Sequence, residues 1–169
     1  MTKLSPVASR YVTLVLAGLT ILVLLLSVPG SLRSAYERGG FYLFSLEFLE
    51  DIPKRFVGPG RFRFVFQPLT AIVLGILNGL ADKRAGGPPY LIGVLFYRDH
   101  RMRLVRSALS TLANLLLMGI LLDAICQRII LGSIYPGAAL VLGPLLIMVP
   151  YSLARSLSNR FAPGRRGLP

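Results

Sequence analysis

Several residue types are nearly missing, and each absence excludes something. The 169-residue chain has one cysteine, Cys126, so an internal disulfide is impossible. His100 is the single histidine, so one copy cannot supply two axial haem ligands or a multi-histidine metal site. Tryptophan is absent, and any aromatic belt at a membrane boundary falls to tyrosine and phenylalanine. Charged residues make up 15% of the chain, well below the roughly 25% of an ordinary soluble domain. There is no Ser-His-Asp set, no metal cluster and no phosphate-binding glycine loop. We therefore expect neither a cofactor nor an enzyme.

What is present is apolar. Hydrophobic residues make up 54% of the chain and the mean hydropathy is +0.66. Four runs approach the ~20 residues needed to cross a bilayer: about 11–28, 64–80, 107–126 and 135–153. The fold expected is all-α: a multi-pass integral membrane protein with four transmembrane helices plus short interfacial amphipathic helices, in one membrane domain covering 1–169. The first run is longer than the apolar core of a signal peptide, about 7–15 residues, so it reads as an uncleaved span ended by Pro29-Gly30.

Two connecting pieces are too short or too charged to span. Residues 41–52 place Phe41, Phe44, Phe48 and Ile52 on one helical face, with Glu47, Glu50 and Asp51 elsewhere and Pro53 as a stop. Residues 90–106 join an apolar segment to a basic one. Arg98, Arg101, Arg103 and Arg106 there are expected to contact anionic phospholipid head groups. Residues 155–169, with Arg155, Arg160, Arg165 and Arg166 among Pro and Gly, read as an irregular tail.

The net charge of +12 raises the possibility of nucleic-acid binding. The basic residues flank the apolar runs instead of forming a soluble patch, so no nucleic-acid partner is expected. Twelve Lys and Arg fall with the N terminus, the second loop and the tail, against seven on the other side. The positive-inside rule then puts both termini in the cytoplasm of a bacterium, with the chain in the inner membrane.

Small residues mark the helix-packing faces: Ala71, Gly75 and Gly79 in the second span, Ala139 and Gly143 in the fourth. Polar residues within the spans are Gln67, Asn78, Asn114 and Asp123. Asp123 is the sharpest candidate, because an ionisable group inside a membrane is costly and often functional. A structural alternative pairs it with Arg128, although five residues of helix set the two about 140° apart. Asp82-Lys83-Arg84, followed by Gly86-Gly87-Pro88-Pro89, marks the end of the second span.

The leading functional expectation is a non-catalytic accessory subunit of a larger inner-membrane complex, such as an electron-transfer assembly. Its partners would be other membrane subunits and anionic lipid. The alternative is a small oligomeric transporter or channel with Asp123 in its path. A lipid-modifying enzyme is weaker, because no acid–base pair is visible.

Overall fold

The computed structural model describes residues 6–58 and 60–161, with side chains from Arg10 onward. The described chain is all-helical: α1 Pro6–Arg38, a 3-10 turn Tyr42–Phe44, α2 Leu46–Val57, α3 Arg63–Arg84, α4 Tyr90–Phe96, α5 Arg98–Leu131 and α6 Pro136–Phe161. Four of these, α1, α3, α5 and α6, are long and apolar enough to cross a membrane.

Each long helix outruns the span expected from hydropathy, for identifiable reasons. In α1 the helix does not stop at Pro29-Gly30 but continues to Arg38. A proline removes one intrahelical bond, and membrane helices tolerate that loss where neighbouring groups re-satisfy the backbone. The actual stop is Gly39, at φ +72°. Its N–H bonds the Tyr36 carbonyl, and the N–H of Gly40 bonds that of Ala35. This is the glycine-ended pattern that satisfies the last carbonyls of a helix. The same device ends α3. Gly86 stands at φ +71°, with Gly86 N–H on Lys83 and Gly87 N–H on Asp82.

Residues 98–106 are the first turns of α5, not a separate piece. Between Arg98 and Leu131 the sequence has no proline and a single glycine, Gly119, so nothing interrupts the helix. Its 34 residues extend roughly 51 Å at 1.5 Å per residue, past the ~30 Å hydrocarbon thickness. Likewise α6 runs through Pro144 and Pro150 to Phe161, so Arg155 and Arg160 are helical and not part of an irregular tail. Lys3, Arg165 and Arg166 lie outside the described residues.

The second connection departs most from expectation. Helix α2 begins at Leu46, capped by the Ser45 hydroxyl accepting from Phe48 N–H, and carries on past Pro53 to Val57. Its buried residues are Asp51 and Arg55, whereas Phe41 and Phe44 are exposed. Asp51 and Arg55 turn inward together with Phe48, which packs against Tyr42, Tyr135 and Ala138, while Glu47, Glu50 and Lys54 stay exposed.

The chain forms two compact units. The first comprises Met1–Val65 and Ala113–Leu145, the second Phe66–Leu112 and Leu146–Pro169. In the first, Ile120, Ala124 and Ala139 form a buried cluster with Val23, Leu24 and Ile134 against it. Gly143 makes the approach of α6 to α5 possible: a Cβ there would stand 2.9 Å from the Ile120 nitrogen. In the second unit, α3 meets α6 along Ala71, Gly75 and Gly79. Ala71 is fully buried, a Cβ on Gly75 would stand 2.6 Å from the Tyr151 carbonyl oxygen, and one on Gly79 would overlap the Arg155 carbonyl. Small side chains here let backbones touch, which larger ones would forbid.

Candidate functional site

Each unit is fastened by a buried carboxylate–guanidinium centre. In the first unit the centre is Asp123, which is wholly buried. Its Oδ1 receives Arg55 Nη1 at 3.3 Å and also contacts Arg63. Its Oδ2 accepts from Gln127 Nε2 at 2.5 Å. Gln127 sits four residues on, the helical spacing that stacks two side chains on one face. The other end of that amide, Oε1, accepts from Tyr135 N–H at 2.7 Å and fixes the entry to α6.

The centre continues outward through α2. Arg55 Nη2 donates to the Tyr42 hydroxyl at 3.3 Å. That hydroxyl donates to Asp51 Oδ2 at 2.6 Å, and Lys54 Nζ donates to Asp51 Oδ1 at 2.8 Å. The Tyr42 and Tyr135 rings stack with centroids 3.9 Å apart. Arg38 reaches the Tyr135 hydroxyl at 2.5 Å and pairs with Glu47 at 3.3 Å.

The α2 groups lie outside the candidate spans, and their ionisation reflects this network. Burial, reinforced by the hydrogen bond to Asp51, pushes the Tyr42 phenol up to about 12, against the opposing pull of Arg55. Burial also pushes the Asp51 carboxyl upward. The hydrogen bonds from Lys54 and Tyr42 and the charges of Lys54 and Arg55 outweigh it, so the carboxyl ends below its ordinary value. The Asp51 bond and charge raise Lys54.

In the second unit Arg155 grips Asp82 through two parallel bonds, Nε to Oδ2 at 2.7 Å and Nη2 to Oδ1 at 3.0 Å. Two-pronged pairing of this kind is the strongest geometry open to arginine and a carboxylate. Nη1 donates to the Tyr151 hydroxyl at 2.9 Å, and Asn78 Nδ2 reaches the same oxygen at 2.8 Å. The guanidinium also lies 4.8 Å from the centre of the Tyr90 ring. Further along α6, Ser156 accepts from Leu91 N–H at 2.7 Å, and Asn159 donates to the Gly87 carbonyl at 3.3 Å. These bonds tie the Gly-Pro corner and α4 to α6.

Of the residues singled out from sequence, Asp123 is at the heart of the first centre, but its partners are not those expected. Arg128 turns instead to the Gly132 carbonyl, at the end of its own helix. Asn114 accepts from Thr13 at 2.7 Å, and Asn78 bonds Tyr151 and, at 3.3 Å, Thr111. Gln67 is buried, and its amide has no hydrogen-bond partner among the described residues. Arg98, Arg103 and Arg106 are exposed at the start of α5. Arg101 instead folds back on the Val94 and Leu95 carbonyls at 2.7 and 3.1 Å, closing the end of α4.

Arg55, Arg63, Gln127 and Asp51 were not singled out. Gln127 was within reach, since an aspartate in an apolar helix demands donors and Gln127 is one turn away. Arg55 lies 68 residues from Asp123 in sequence, and no local pattern signals that pairing.

Chemically, both centres hold carboxylates whose acceptor positions are taken by donors, which suits fastening better than proton abstraction. Among the described residues no group of His, Cys, Asp or Glu could hold a metal ion. Comparison with known protein families, characterised proteins and solved structures gave no match.

Proposed function

We propose that the chain is a non-catalytic structural subunit of a larger bacterial inner-membrane complex, such as an electron-transfer assembly, inserted with both termini in the cytoplasm. The observation that carries this reading is the inside-out distribution of side chains. A few buried charged groups, Asp123, Arg55, Arg63 and Arg155, are taken up in fastening helices, while long apolar faces are left uncovered. On α1, Leu14, Val15, Leu25 and Leu26 are all exposed, and its cross-helix hydrogen bonds include Thr13 to Asn114 and Thr20 to the Leu117 carbonyl. Such a surface suits lipid and the helices of other subunits. Helices α2 and α4 would lie at the interface, where Arg98, Arg103 and Arg106 meet anionic head groups.

The test is purification at native abundance in a mild detergent. Stoichiometric co-purification of other membrane subunits supports the proposal. A lone homo-oligomer that moves solute across liposomes overturns it.

The rival, a small transporter routed through Asp123, draws on that residue's complete burial. Two guanidiniums crowd the same carboxylate oxygen, and their charge repels a cation that would bind there. The rival requires that Asp123→Asn abolish flux in protein that still inserts.

A further inference from the structure

The Asp123 centre is electrostatically incomplete. Arg55 and Arg63 are both buried, and both direct their charge at a single carboxylate oxygen. Asp51 lies further out, is shared with Lys54, and is bridged to Arg55 by the Tyr42 hydroxyl, so it offsets that charge only in part and leaves Arg63 to Asp123. The donors are also underused. Arg55 Nε and Arg63 Nε and Nη1 are buried without a hydrogen bond. The two bonds Arg55 does make are 3.3 Å long, beyond the 2.7–2.9 Å typical of charge-assisted pairs. Burying a guanidinium without full pairing is costly. The location matters as well. Arg63 opens α3 and Arg55 sits in the last turn of α2. This is the end of a candidate span, which in a bilayer would stand near the level of the lipid phosphates.

We infer that Arg55 and Arg63 form a binding site for a phosphate oxyanion, with Asp123 as its built-in competitor. A phosphate has enough acceptor oxygens to engage both guanidinium forks at once, which Asp123, already bonded to Gln127, does not do. Bound there, it would neutralise the surplus positive charge and exchange the long Arg55 contacts for short ones. The phosphate can belong to a lipid head group or be free in solution, since the recognising chemistry is the same. This inference rests on the ion-pair geometry and not on the subunit proposal. The first is read on the isolated chain and the second by co-purification, so one can fail without the other.

The experiment uses the full chain, delipidated in mild detergent. Inorganic phosphate is titrated against chloride at equal ionic strength by calorimetry. In parallel, protein from nanodiscs of phosphatidylcholine with and without phosphatidylglycerol is examined by native mass spectrometry. Saturable binding of one phosphate per chain supports the site with a free anion as ligand. Retention of one phosphatidylglycerol, without phosphate binding, supports it with lipid as the source. Arg63→Gln should weaken either ligand on the order of 10- to 100-fold, and Asp123→Asn should tighten it. A merely structural role for Asp123 would not produce that opposite sign. The variant Arg33→Gln, altered at an exposed position of α1, should fold and bind as the unaltered chain does. No saturable binding of either probe to the unaltered chain overturns the inference. So does binding that Arg33→Gln abolishes, or that Arg63→Gln leaves intact.

Discussion

Removing Asp82 tests most directly whether buried charge pairs hold this protein together. The Asp82→Ala change leaves the Arg155 guanidinium, 3% exposed against 20% for its partner, without its counter-ion. Tyr151 and Ser107 still accept, at 2.9 and 3.4 Å, but neither carries charge. Stranding a buried charge typically costs about 3–5 kcal/mol, or ~6–20 °C in melting temperature for a chain of this size. Removing both charges at once, as Asp82→Leu/Arg155→Met, should recover most of that loss, because no unpaired charge remains. The two sites should therefore couple by about 2–3 kcal/mol in a double-mutant cycle. The exposed pair Arg33–Glu37, at 83% and 60% exposure, serves as the control, and Glu37→Ala should shift stability by no more than ~0.5 kcal/mol. Reversible unfolding in detergent, followed by circular dichroism, reads all of these. If Asp82→Ala costs no more than Glu37→Ala, or the double change costs the sum of the singles, the argument for a buried charge clamp fails.

Four further outcomes are expected. Gly79→Ala should destabilise by about 1–3 kcal/mol, because its Cβ would overlap the Arg155 carbonyl and push α3 off α6. Gly18→Ala on α1, where nothing lies within 4 Å, should be neutral or gain up to about 1 kcal/mol; equal effects at the two sites would refute the close-approach argument. The α2 network should set both limbs of the pH–stability curve. Asp51 is depressed, so its contribution is present above about pH 4, the unfolded value, and fades as pH falls through the lower folded value. Tyr42 is raised from 10 to about 12, so its contribution is complete below pH 10 and fades as pH climbs through about 12. Asp51→Asn should flatten the acid limb, and an unchanged curve would dismiss Asp51 as its source. Cys126 is a buried free thiol, so maleimide should label it on unfolding and much more slowly before; fast labelling of the native protein would contradict its placement. Finally, alkaline phosphatase fused after residue 38 should be active and a fusion after residue 97 inactive if both termini are cytoplasmic; the reverse pattern would invert the proposed topology.

The relation of sequence to structure differs between kinds of residue. Apolar runs announced the long helices because crossing length and hydropathy are local properties. Their ends are less local, because proline is a poor stop signal where a helix can re-satisfy its backbone. Pro29 and Pro53 each lie inside a helix that continues past them, and in α1 the stop is a left-handed glycine. The small residues of α3 and α6 were legible as faces, since spacing alone puts Ala71, Gly75 and Gly79 on one side. Which helix they meet was not.

Asp123 stood out by itself, as any carboxylate in an apolar stretch does. Its counter-ions did not, because Arg55 and Arg63 looked like ordinary loop and boundary charges. The same holds for Arg155, which read as part of a tail and proved to be the buried partner of Asp82.

The sequence alone determined the four apolar helices, the surplus of positive charge around them and the isolation of the single cysteine. These follow from composition and from patterns a few residues long. Tertiary structure decided that Asp51 and Arg55 of α2 turn inward, that two arginines converge on one carboxylate, and that Arg155 closes on Asp82. Electrostatic pairing acts through space, and the partners lie 68 and 73 residues apart in the chain. At that separation the backbone pattern carries no signal of which charge will meet which.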